Sequence, residues 1–129
     1  MKIEVSNGEI IDKLTILEIK MSKIEDLEKL NNIRHEFEVL DPKVTKIYSQ
    51  SRDQKTLEKL HNDLYNVNLT LWNVEDQIRE HERNELFNSD FIELARSVYH
   101  LNDERSHIKK MINYITGSQL IEEKSYQEY

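Results

Sequence analysis

SDFIELARSVYHLNDERSHIKKMINYITG, residues 89–117, decides the fold class. Its apolar residues Phe91, Leu94, Val98, Leu101, Ile108, Ile112 and Ile115 recur at alternating steps of three and four, so they share one stripe of a long helix. The single stripe position that is not apolar is Arg105. A seam this regular needs partner helices to cover it, and an Arg within it marks a register-setting or functional position. Ser89 is placed to cap the helix and Gly117 to close it in the left-handed conformation.

Upstream, Met1 to Val5 alternates in polarity like a short extended arm, and Ser6-Asn7-Gly8-Glu9 reads as a capping box. Ile10, Leu14, Leu17, Met21 and Ile24 continue at helical steps, and after a phase change near Leu27 the stripe resumes with Leu30, Ile33, Phe37 and Leu40. The expected first helix therefore covers about 7–40. Asp41-Pro42 is read as a tight reversal, because Pro disfavours helical geometry in the residue before it and suits a first helical position. A second helix over about 42–84 follows, with Leu57, Leu60, Leu64, Val67, Leu71, Val74 and Ile78 in heptad phase. The polar stretch Ser49 to Gln54 is either helix or loop. A break at Asn84 to Asn88 leads to the third helix, about 90–116, and a polar tail, 118–129.

Two Gly and one Pro leave few turns for a sheet, so the class is all-α and the length gives one domain, 1–129. Counting back from the two turns predicts an antiparallel three-helix bundle with coiled-coil-like packing. Leu17 and Val67 then lie beside Arg105, and Glu18 is within its reach. The longer first two helices project as a hairpin over about 28–55, leaving Phe37, Ile47 and Tyr48 uncovered.

A net charge of −7 argues against nucleic acid and against an anionic membrane surface. No run reaches the roughly 18 apolar residues of a membrane span. The start, MKIEVSNGEI, lacks a positive region followed by an apolar block, and cysteine is absent, so the expected address is cytoplasmic.

Four constellations are candidates for function. Tyr65, Leu69 and Trp72 line up off the heptad seam of the second helix, as do Ile16 and Ile19 on the first, and such an outer stripe predicts self-association, with a homodimer favoured. The competing reading folds Leu120, Ile121, Tyr126 and Tyr129 of the tail over it. Arg105 is either half of an ion pair that fixes register or the centre of a small-anion site, with Arg79 and Arg96 as further cations. Glu58-x-x-His61 and Glu104-x-x-His107 have the spacing of di-iron bundle ligands, but they fall on flanks of an apolar seam where ligands would have to point inward. Glu75, Asp76, Glu80, Glu82 and Glu85 resemble an Mg²⁺-holding cluster, yet the interleaved Arg79 and Arg83 make a solvated face of i, i+4 pairs. No phosphate loop or nucleophile arrangement is present, so neither metal nor cofactor nor catalytic residue is expected.

SNGEIIDKLTILEIK (6–20), LWNVEDQIREHE (71–82) and FIELARSVYHLNDERSHIKKMIN (91–113), closing with GSQLIEEKSYQEY, together resemble a family of short bacterial proteins of unknown function. The resemblance implies one compact helical unit and no substrate. It singles out polar residues beyond what packing demands: Asp12, Lys13, Thr15 and Glu18; Glu75, Asp76 and Arg79; Arg96, Tyr99, Asn102, Asp103 and Arg105. Two functions follow. One is a non-enzymatic interaction module that self-associates or takes a protein partner. The other is a small-anion-binding protein or enzyme with a pocket of Asp12, Glu18, Glu75, Arg79, Arg96, Asn102 and Arg105.

Overall fold

The computed structural model describes residues 1–118, 122, 123, 125 and 127–129. The chain enters its first helix, α1 (Asn7–Lys23), through Ser6, whose hydroxyl accepts from the Glu9 N–H at 3.2 Å. The other half of the expected capping box is absent, because the Glu9 carboxylate is drawn across to Lys109 at 2.5 Å. The described residues form four helices and no strand, which corrects the expected count of three.

The extra helix comes from a turn the sequence announces only weakly. Ile24 leaves the helical conformation and Asp26 caps α2 (Leu27–Gln50), accepting from Lys29 N at 3.1 Å. The phase change near Leu27 is thus a reversal, and α1 and α2 are separate antiparallel helices. Asp41-Pro42, in contrast, does not turn: Pro42 lies inside α2. Its ring and Glu38, whose carbonyl loses a donor there, are on the exposed side, while Val44 and Ile47 just beyond are buried. An interior Pro costs about 3 kcal/mol, and burial of those two side chains, at about 1.5–3 kcal/mol each, offsets it.

Within the stretch left open as helix or loop, the break is Ser51 to Asp53. Asp53 caps α3 (Gln54–Arg83) through Thr56 N at 3.1 Å. The connection to α4 (Ser89–Ile115) is capped by Asn88, one residue before the Ser89 expected. At the far end Gly117 adopts φ 67, and the Ser118 N–H donates to the Asn113 carbonyl at 2.9 Å, the six-to-one bond of a Schellman close.

α1 is the hub: it packs against α2, α3 and α4. Ile11 and Leu14 form the core with Val44 and Ile47 of α2, Leu57 and Leu64 of α3 and Ile112 of α4. Gly8 lets α4 approach this closely. A Cβ there would stand 2.5 Å from the Lys109 carbonyl oxygen, and the Gly8 N–H already donates to Asn113 Oδ1 at 2.6 Å. α4, whose seam signals the class, buries only Ile112 and Asn113.

The expected projecting hairpin is also corrected. The segment expected to stand free, 28–55, is packed on α1 through Val44 and Ile47, and its Ile33 is buried. The thinly buried end is the joined end of α3 and α4: Val74 is the last buried residue of α3, and from Glu75 to Ser97 every side chain is exposed or half-buried. No helix among the described residues is long and apolar enough to cross a membrane.

Candidate functional site

Asp12 is 1% exposed, and a carboxylate that dry needs partners for both oxygens. Arg105 supplies them in a bidentate pair, Nε to Oδ1 at 2.9 Å and Nη2 to Oδ2 at 2.5 Å. Asn68 Nδ2 donates to Asp12 Oδ1 at 2.9 Å and to Thr15 Oγ1 at 2.8 Å, while the Thr15 hydroxyl donates to the Asp12 carbonyl at 2.7 Å. Three helices are tied at one level. The hydrogen bonds to Asp12 hold the Arg105 guanidinium above the ordinary arginine range, against the desolvation that pulls it down.

This network floors a cleft of about 500 Å³ between α1, α3 and α4. Ile16, Leu71, Val98 and half-buried Trp72 supply its apolar walls; Glu75, Asp76 and Arg79 stand at one end, and Asn102 and Arg105 at the other. Arg79 approaches Glu75 only to 3.9 Å. With Arg105 neutralised by Asp12 and Arg79 set against Glu75, Asp76 has no cation left to pair with among the described residues that line the cleft.

Of the seven residues expected to make a polar pocket, Glu75, Arg79, Asn102 and Arg105 line this cleft and Asp12 lies directly beneath it. Arg96 does not reach it, being exposed and paired with Glu93 at 3.2 Å. Glu18 does not reach Arg105 either. It lies near Asp41, and burial first, then the Asp41 charge, raises its carboxyl above the usual range. The misplacement follows from counting levels from a turn that is not there.

The expected outer stripe is divided in the same way. Ile16 and Trp72 belong to the cleft, Ile19 is buried at its edge, and Tyr65 and Leu69 are half-buried on α3. Ile47 is core, Phe37 packs against it, and the Tyr48 hydroxyl pairs with His61 Nδ1 at 2.9 Å. Burial pushes Tyr48 up and His61 down, with Glu58 partly restoring the latter.

The described tail residues lie along α4 and at the start of α1, not over Trp72. Glu122 accepts from the Ser6 hydroxyl at 2.5 Å, Glu123 meets Lys110 at 2.6 Å, and Tyr129 packs tilted against Tyr99 and edge-on against His100 and reaches Asp103. Leu120, Ile121 and Tyr126 are outside the described residues. Among the described residues, no three His, Asp or Glu side chains gather as metal ligands would.

Asn68 is the residue that sequence reasoning missed altogether. Its signal is faint, a polar side chain directly after seam residue Val67 whose value depends on α1 passing alongside.

The chain belongs to DUF6165, a family of unknown function. The family's model matches residues 1–129, so every side chain of the cleft lies within it. No curated protein and no solved structure matches the chain.

Proposed function

We propose that the protein is a non-enzymatic binding module whose α1/α3/α4 cleft takes a small organic cation with an apolar body. The observation that carries this is one cleft holding Trp72, three aliphatic walls and a carboxylate with no cation left to pair with among the described residues that line it. An ammonium or guanidinium over a tryptophan face gains about 0.5–2 kcal/mol from the ring quadrupole, and Glu75 and Asp76 stand where its charge would be matched. The net charge of −7 draws cations from a distance.

The anion reading loses support at Arg105. A guanidinium held bidentately by a buried carboxylate brings no net positive charge, so an anion would meet an excess of negative charge. Binding is favoured over catalysis by the same pair: Asp12 accepts on both oxygens and keeps none to take a proton from a substrate.

Phenethylammonium and phenylacetate share an apolar body and differ in charge, which makes them the discriminating probes. In thermal unfolding of the full chain, phenethylammonium is expected to raise Tm and phenylacetate to leave it unchanged. Asp76→Asn and Glu75→Gln, both at exposed positions, should weaken the cation by about tenfold together, which corresponds to roughly 1.4 kcal/mol. Stabilisation by phenylacetate alone would return the cleft to anion binding.

A further inference from the structure

Beyond the cleft, the α3–α4 hairpin ends in an apolar tip. Leu86, Phe87 and Ile92 are 50%, 57% and 54% exposed, and Phe91 packs edge-on against Phe87 with ring centroids 5.3 Å apart. Single exposed apolar residues are ordinary, but Leu86 and Phe87 are exposed side by side in the turn that joins the two helices, with Phe91 against Phe87, and they make this end apolar.

The charge around this patch is one-sided. Between Glu80 and Arg96 there are five carboxylates against two arginines, a surplus of three. Both arginines already have a carboxylate one turn away: Arg83 with Glu80 and Arg96 with Glu93. Glu82, Glu85 and Asp90 therefore have no arginine left to meet. Beside the tip, a groove of about 380 Å³ between the two helices is lined by Asp90, Glu93, His81 and Leu94.

We infer that this tip is a docking surface for a basic amphipathic segment of another protein. Aliphatic side chains of the segment cover Leu86 and Phe87, and its Lys or Arg side chains enter the groove against Asp90. Charge complementarity selects that occupant over a second copy, since two tips would bring equal negative surpluses face to face. Nucleic acid and anionic bilayers are excluded by the same sign. The inference is independent of what the cleft binds, because the two surfaces share no residue.

The test is a titration of the full chain with a labelled helical Leu/Lys peptide and its Leu/Glu twin of identical apolar pattern, read by fluorescence anisotropy. The Leu/Lys peptide should bind one to one and weaken as salt is added, and the twin should not bind. Phe87→Ser should weaken binding roughly tenfold, as expected for an anchor residue, and Asp90→Asn severalfold. Both positions are exposed, so circular dichroism should show unchanged helix. Equal binding of the two peptides, or an unchanged constant in Phe87→Ser, overturns the inference. So does a full chain that sediments as a dimer and that Phe87→Ser converts to monomer, because the occupant is then a second copy.

Discussion

At the scale of the residue, the protein turns on one buried carboxylate. Replacing Arg105 by Met strands the Asp12 charge away from water, and chemical unfolding should register a loss of about 3–5 kcal/mol. The paired change Asp12→Leu with Arg105→Met should recover most of that loss, since a buried ion pair is often no better than an apolar pair of similar volume. If the single variant is as stable as the parent, Asp12 is not dry. His61 gives a pH test of the contact between α2 and α3. Burial holds it below 6.5, so between that value and its folded value the unfolded chain binds a proton that the folded chain does not. Its contribution is complete above 6.5 and is lost as pH falls through that range. Urea unfolding at pH 7.5 and pH 5.5 should therefore show a larger drop for the parent than for His61→Gln, and equal drops would place His61 in solvent.

The elements show where a sequence is legible and where it is not. The α3–α4 pairing could be counted correctly because Asn84 to Asn88 is a true break with a true cap, so Asn68 to Trp72 and Asn102 to Arg105 share one level around the cleft. The α1–α2 reversal was hidden because Ile24-Glu25-Asp26 contains neither Gly nor Pro. Its trace was the phase change at Leu27 together with an Asp three residues before Lys29. Pro42 pulled the other way, since its local preference for a helix start is overridden by burial of Val44 and Ile47. Gly8 was legible as part of a capping box but not as a close approach, which requires knowing that Lys109 passes beside it. α2 offers a direct check. Pro42→Ala should stabilise the protein by up to about 3 kcal/mol, because it restores an interior helical bond. Destabilisation by that change would mean that the chain turns at Asp41-Pro42 after all.

For the whole molecule, the hub position of α1 explains why a polar residue on a short helix can organise a binding cleft. Asp12 and Thr15 face α3 and α4 at one level, and their bonds to Asn68 and Arg105 set the cleft floor before any ligand arrives. Such preorganisation lowers the ordering cost of binding. The same packing leaves the joined end of α3 and α4 thinly buried, so the molecule has a packed base and an acidic end. Single sequence stripes could indicate that helices pair, but the identity of the cleft depended on which helices enclose α1.

Trp72 is the chain's single tryptophan and lines the cleft, so its fluorescence reports on that site alone. Titration of the full chain with phenethylammonium and, separately, phenylacetate is the most direct measurement. A saturable change in Trp72 emission with the cation, absent with the anion and weakened in Asp76→Asn, is the predicted result. A saturable change with the anion, or none with either, would contradict the account.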